Sequence, residues 1–291
     1  MVSTVSLVMA FSLVALKLLA YFATGSVSLL TSAVDALVDT GASMVTYLGV
    51  RYAERPPDHD HRFGHSKGEA VAGFTQATFL VGAGLVLTVQ SIQRLAFPQT
   101  IAALNLGLWI IAVSLIAATS LVLMQTWVLQ KTNSTAIAAD RAHYRTDIAV
   151  NVAVLAALGV TKLTGWTRAD PTFALFIAAY MLWNARIIAK AALVQLLDEE
   201  LPETDRQRIR ETVLACPGAG NLHDLRTRSS GDRIFIEYHL EVDGRLSVEA
   251  GHAIGDATEV AVREAFPGTV EVFAHLEPLG IKDERLDDLI R

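Results

Sequence analysis

Six apolar runs fill the first two-thirds of the chain, at residues 5–24, 27–50, 70–95, 104–129, 135–163 and 171–197. Each is close to the ~20 residues a helix needs to cross a bilayer, so the pattern predicts six transmembrane helices. Past residue 198 the apolar positions thin out and take other periods. Residues 203–214 and 247–266 have helical spacing, the second opening on Ser247 with Glu249 two residues on. Residues 224–229, 233–242 and 270–276 alternate as strands, with Ser230-Gly231-Asp232 as the turn between the first two. The order αββαβ predicts a small α+β domain with its helices on one face of a sheet. The pattern therefore divides the chain into an α-helical membrane domain, residues 1–198, and a water-soluble domain, residues 199–291. From Glu277 onward the tail is polar and expected to be loosely held.

Composition sharpens the division. The chain is 52% hydrophobic with a mean hydropathy of +0.38, too apolar for an ordinary soluble protein of 291 residues. The membrane part has a small basic excess and the tail a large acidic one. An acidic tail argues against nucleic acid, whose phosphates need a basic face, and suits the gathering of cations. A single cysteine, Cys216, excludes an internal disulfide and a thiolate cluster. No basic lead-in or small-residue cleavage signal precedes the first run, which reads as a span and not as a signal peptide.

Arg51, Arg55, Arg62, Lys67 and Lys131 fall in the second and fourth links between runs. That excess puts this side in the cytoplasm, and an even number of spans brings both termini there too. Arg94, Lys162 and Arg168 lie near the other side and blunt the asymmetry. Gly73, Gly82 and Gly84 mark the third run for close helix packing. No phosphate-cradling glycine motif follows a strand, so nothing indicates a nucleotide.

The chemistry lies in charged groups inside the apolar runs. Asp35 and Asp39 stand four residues apart in the second run, one turn apart on one helix face. His143 and Asp147 repeat the spacing in the fifth. Such groups are costly in hydrocarbon, which makes function the first reading. A buried ion-pair network with Lys17, Arg141 or Arg145 is the structural alternative. Three carboxylates and one imidazole make four ligands for a tetrahedral Zn2+-like ion. Without thiolates the set can release its ion, and because every member binds metal deprotonated, proton uptake expels metal. His143 is the expected proton carrier, since an unperturbed imidazole titrates at about pH 6.5.

Two further groups have metal-binding composition. Residues 58–65 hold two acids and three histidines, of which Asp58, His61 and His65 are the best trio; a solvated polar loop is the alternative. The tail holds His223, His239, His252 and His275, with Glu277 on the same strand face as His275. Spacing alone does not show whether these converge.

These residues carry a resemblance. Ser32-Ala33-Val34-Asp35-Ala36-Leu37-Val38-Asp39, Phe63-Gly64-His65-Ser66-Lys67-Gly68-Glu69, Ala139-Asp140-Arg141-Ala142-His143-Tyr144-Arg145-Thr146-Asp147 and His223-Asp224-Leu225-Arg226-Thr227-Arg228 are similar to motifs of the cation diffusion facilitator family. The likeness runs over essentially the whole chain and is strongest to the bacterial YiiP/FieF subgroup. It implies a homodimer in the bacterial inner (plasma) membrane, each protomer with six transmembrane helices and a cytosolic ferredoxin-like domain. It implies export of Zn2+, and in some members Cd2+ or Fe2+, in exchange for protons by alternating access.

Zinc would be both the substrate and a structural or regulatory ion. By position, the transport site would be Asp35, Asp39, His143 and Asp147, and the loop site Asp58, His61 and His65. A binuclear cytosolic site would use His223, His239, His252, His275 and Glu277, with Glu277 where close relatives have an aspartate. Lys67 and Asp198 match a pair that interlocks the protomers.

The resulting expectation is a secondary transporter, not an enzyme. Three other readings stay open on the residues alone. An intramembrane metalloenzyme would keep an open metal position, against which four matched ligands argue. A membrane-bound metal sensor would leave the intramembrane quartet without a role. A passive channel would show flux without proton coupling.

Overall fold

The computed structural model describes residues 2–24, 27–97, 104–132, 134–164 and 168–280, though not every side chain within them. The chain forms two compact units, Met1–Leu193 and Val194–Arg291.

Six long helices make up the first unit: α1 (Val2–Thr24), α2 (Val27–Ala53), α3 (Lys67–Ala96), α4 (Leu104–Leu129), α5 (Thr135–Thr164) and α6 (Ala169–Leu196). Among the described residues, Lys67–Ala96 and Pro171–Leu196 are each long and apolar enough to cross a membrane. The helices outrun the apolar pattern at their loop ends. α2 continues past residue 50 to Ala53, and α3 begins at Lys67, three residues before the apolar run. The first turn of α3 is polar, yet its backbone is already coiled, with the N–H of Gly68 donating to the carbonyl of His65 at 2.8 Å. A hydropathy boundary marks where hydrocarbon begins, not where the helix does.

α5 is the hub of this unit. Its Ala136 and Ile137 pack with Val50 of α2 and Ala72 of α3. Ala139 packs with Ala77 and Leu80 of α3 and with Ile177, Met181 and Ala185 of α6. Tyr144 packs with Ala118 and Leu121 of α4, beside Met9 of α1. Small residues set the spacing: a Cβ at Gly73 would meet Thr135 of α5 at 3.2 Å, and one at Gly84 would meet Leu182 of α6 at 3.1 Å. Gly82 of the same run meets nothing within 4 Å among the described residues. Among the described residues the tightest approach is elsewhere, at Gly49, where a Cβ would lie 2.3 Å from that of Ala72.

The second unit follows the predicted order, with α7 (Glu203–Leu214), β1 (Asn221–Ser230), β2 (Arg233–Val242), α8 (Val248–Ala265) and β3 (Thr269–Pro278). The sheet runs β1-β2-β3. β1 pairs antiparallel with β2 through the tight turn at Gly231 and Asp232. β3 returns by way of α8 to lie parallel to β2. Ser247 caps α8, its hydroxyl accepting from the N–H of Ala250 at 3.2 Å.

The core lies between helices and sheet: Ile209 and Val213 of α7, Val262 of α8, and alternate residues Ile236, Tyr238, Leu240 and Val242 of β2. Tyr238 donates to Thr258 of α8 at 2.8 Å, and burial pushes its phenol up to about 12. β1 starts at Asn221, three residues earlier than the alternation indicates. The register slips between His223 and Arg226, where Asp224 takes a left-handed φ of 49°. The slip breaks the period of two on which the sequence reading relies.

The Gly49–Ala72 approach yields a prediction. Gly49→Ala is expected to lower the melting temperature of the detergent-solubilised protein, overpacking costing about 1–3 kcal/mol. Ala72→Gly in the same chain is expected to restore it, and a double variant as unstable as the single one would refute the contact.

Candidate metal centres

The sheet of the second unit acts as a ruler. Its register sets His223 opposite His239, and His239 opposite His275, so one histidine from each strand stands in a row. Neighbouring strands lie about 4.8 Å apart, which brings imidazoles within reach of a shared ion. The next row on the same face is Asn221, Glu241 and Glu277. α7 and α8 cover the other face.

Glu277, 8% exposed, reaches back into the histidine row. Its carboxylate lies 2.8 Å from His239 Nδ1, 3.2 Å from His223 Nε2 and 3.6 Å from His275 Nε2. Both ring nitrogens of His223, Nδ1 of His239 and Oε2 of Glu277 are buried without a hydrogen-bond partner among the described residues. These atoms are close but not aligned along N–H···O directions. A tetrahedral ion with bonds of 2.0–2.1 Å would hold its ligands about 3.3 Å apart, within the observed spread. The site therefore fits a divalent metal of the zinc type.

Two acids at this row escaped the sequence reading. Asp224 is buried, and one ligand atom each of His223, Asp224 and His239 lie within 4.8 Å of one another. Successive strand residues point to opposite faces, so Asp224 has no apparent access to the row until the left-handed turn at this residue swings it back. Glu241 accepts from Asn221 Nδ2 at 3.3 Å and from the N–H of Gly280 at 3.2 Å. Its Oε1 stands 3.6 Å from His223 Nδ1, beside the ring but beyond hydrogen-bond reach. His252 is not brought into the row. It stands exposed on α8, 3.5 Å from Asp256 one turn on. α8 covers the core face, where Gly251 and Gly255 lie against Leu276.

The loop between α2 and α3 brings its trio together. Asp58 Oδ1 accepts from the N–H of Asp60 at 3.0 Å and of His61 at 2.7 Å, closing an Asx turn. His61 Nδ1 lies 3.1 Å from Asp58 Oδ1, and His65 Nε2 lies 3.3 Å from Oδ2. The two imidazoles are 4.5 Å apart, and Tyr52 meets His65 edge-on at 4.7 Å. His65 is buried, while Asp58 and His61 are exposed, so an ion here would keep contact with water. The backbone N–H of His61 holds the Asp58 carboxyl below its usual range.

In the first unit, His143 is 7% exposed, with Tyr144 edge-on at 5.6 Å. The side chains of Asp35, Asp39 and Asp147 lie outside the described residues. The contact of α2 with α5 is described one turn away: Ser43, four residues after Asp39, places its Oγ 2.9 Å from Tyr144 Oη and 3.5 Å from Asp140 Oδ1. Of the interlock pair, Lys67 opens α3, and Asp198, at a left-handed φ of 55°, lies 3.5 Å from Arg228 of β1.

Comparison with known proteins gives consistent matches. A family model described as the cation efflux transmembrane domain matches residues 3–197, and one described as the cation efflux protein cytoplasmic domain matches residues 201–279. The cation-efflux pump FieF of Klebsiella pneumoniae is 41% identical over 273 residues, 94% of this chain and 90% of that protein. The FieF protein of Salmonella paratyphi A matches to the same extent, 41% over 273 residues. Among solved structures, the zinc form of the zinc transporter CzrB is 39% identical, covering 30% of this chain and 99% of its own, with a TM-score of 0.28.

Two expectations follow from the geometry. Glu277→Ala is expected to weaken zinc binding at the histidine row by about tenfold or more, the scale of lost ligands and their supports. His252→Ala is expected to do less, and equilibrium dialysis of the two variants beside the parent checks both. The Asp58 turn should depend on pH. A depressed carboxyl stabilises the turn fully above its unfolded value of about 3.9, and the turn is lost as pH falls through the lower folded value. Amide exchange at His61 that ignored this window would refute it.

Proposed function

The chain belongs to the cation efflux family, also called the cation diffusion facilitators, and on that premise we propose that it exports Zn2+ from the cytoplasm in exchange for protons. It is a multi-pass membrane transporter of metal cations and not an enzyme. The finer reading takes Asp35, Asp39, His143 and Asp147 as the transport site, between α2 and α5 within residues 1–198. The observation that carries it is the meeting of the two helices at Ser43 and Tyr144, one turn from Asp39 and adjacent to His143. A pair of helices in contact at that level supports a shared ligand layer next to it.

The chemistry of the ligand set supplies the exchange. Zn2+ binds when the carboxylates and the imidazole are deprotonated, so an inward proton gradient drives release on the outer side. Of the four, an imidazole titrates nearest physiological pH, which makes His143 the group whose protonation most readily competes with the ion. Imidazole also favours Zn2+-like ions over Mg2+ and Ca2+. Cytosolic Zn2+ enters between α2 and α5, the site opens outward, protons displace the ion, and the protonated carrier returns.

The second unit, residues 199–291 on this reading, is a cytosolic ferredoxin-like domain. His223, His239, His275 and Glu277 would hold zinc as a structural and regulatory ion, with His252 as the further ligand the resemblance implies. Asp58, His61 and His65 would hold a weaker, wetter one. The protein would act as a homodimer in the bacterial inner membrane with both termini cytoplasmic, Lys67 and Asp198 interlocking the protomers.

The test is zinc flux into proteoliposomes of the purified protein, with and without an imposed pH gradient, beside Asp39→Ala and His143→Ala. Flux that follows the gradient and vanishes in both variants is the expected result. Flux indifferent to the gradient would reduce the exchanger to a channel or uniporter, and unchanged flux in both variants would remove the quartet from the mechanism.

A further inference from the structure

α5 carries one more ionisable group that the transport reading leaves unused. Asp140, three residues before His143, is 1% exposed. Its Oδ2 accepts from Gln125 Nε2 of α4 at 2.7 Å, a short hydrogen bond. The same Gln125 nitrogen donates to Ser6 Oγ of α1 at 3.2 Å. Oδ1 of Asp140 lies 3.5 Å from Ser43 Oγ of α2, which in turn shares a hydrogen bond of 2.9 Å with Tyr144. Ser6, Ser43, Gln125 and Asp140 are all buried, so one carboxylate joins four helices away from water.

The cluster is organised by directed hydrogen bonds. Gln125 turns both its contacts through Nε2 toward Asp140 and Ser6, while its Oε1 is buried without a partner among the described residues. An amide left to its own preference would satisfy its carbonyl. Here its Nε2 serves Asp140 and Ser6, and the carbonyl goes unmet. A fully buried acid in an apolar run, with neutral partners drawn from three other helices, is more than the small-residue packing of these helices requires.

The geometry bears on His143. Positions 140, 143 and 144 lie on one stripe of α5, three and four residues apart. Two pins act on that stripe a turn apart, Asp140 on α4 and Tyr144 on α2. One pin leaves a helix free to roll or slide; two pins on different neighbours fix both its rotation and its depth. A turn of slippage would carry α5 by about 5.4 Å, far more than a metal–ligand bond tolerates.

We propose that Asp140 is a positioning residue of the transport site: gripped by Gln125 and Ser43 at the junction of α1, α2, α4 and α5, it sets the register in which α5 presents His143 to the ion. The inference rests on the reading of His143 as a transport ligand.

The test measures KM and maximal rate of zinc transport in proteoliposomes for Asp140→Ala, Asp140→Asn and His143→Ala, with folding checked by size exclusion and by zinc retained at the histidine row. Asp140→Ala is expected to raise KM for zinc about tenfold or more, as loss of an outer support does. Asp140→Asn keeps an acceptor for Gln125 and is expected to shift KM by no more than about threefold, which distinguishes position from charge.

An unchanged KM in Asp140→Ala, with only the amount of folded protein reduced, would make the cluster mere helix glue and overturn the inference. So would Asp140→Asn failing as badly as Asp140→Ala. Unaltered transport by His143→Ala would instead sink the site reading itself. Should Asp140→Ala not fold, Ser43→Ala and Gln125→Leu each release one grip; a raised KM in both supports the inference, and an unchanged KM in both overturns it.

Discussion

A charged or strongly polar side chain withdrawn from water must find a partner, and that requirement governs both units of this protein. In the helical unit it acts on α5, which touches α2, α3, α4 and α6 through apolar clusters and carries Asp140, His143 and Asp147 along its length. Apolar packing brings the helices together without dictating how far each has turned. The bonds of Asp140 to Gln125 and of Tyr144 to Ser43 are directional, and they choose among the rotations that packing alone would allow. Where hydrocarbon surrounds the helices, such bonds are a principal source of specificity.

In the sheet unit the same requirement has a different solution. Buried His223, half-buried His239, exposed His275 and two buried glutamates share one sheet face, opposite the apolar face that α7 and α8 cover. Strand spacing sets the rows, and pairing sets which residues share a row. Glu277 has ring nitrogens around it that do not line up as donors, and one shared cation would satisfy them together. The loop trio is the exposed counterpart: an Asx turn preforms it before any ion arrives, and open water on one side suits weaker binding. Ligand sets of graded burial, all free of sulfur, fit a protein that handles a metal ion rather than locking it away.

Much of this was legible in the chain itself. Six apolar runs foreshadow six helices, and a tail of alternating and helical periods foreshadows αββαβ, because hydrophobic burial imposes the period of each element wherever it faces a core or a bilayer. The local trio Asp58, His61 and His65 was readable because a turn of eight residues leaves little freedom. The acidic tail and the matched Asp–Asp and His–Asp spacings are also properties of the chain alone, and they separate a metal transporter from a nucleic-acid binder before any fold is known.

What the tertiary structure decided is every relation that spacing cannot encode. His223, His239 and His275 are far apart in sequence and become a row only through strand pairing; His252 has the same composition signal and lies on a helix against the opposite face. Asp224 enters the row through a left-handed backbone angle that no alternation rule anticipates. Asp140 looks like one more charge beside His143 until Gln125, Ser6 and Ser43 close around it from three helices. Periodicity is a local property, fixed by the geometry of one helix or strand and therefore written in the sequence. Convergence depends on the rotation and register of one element against another, and those are settled only when the elements pack.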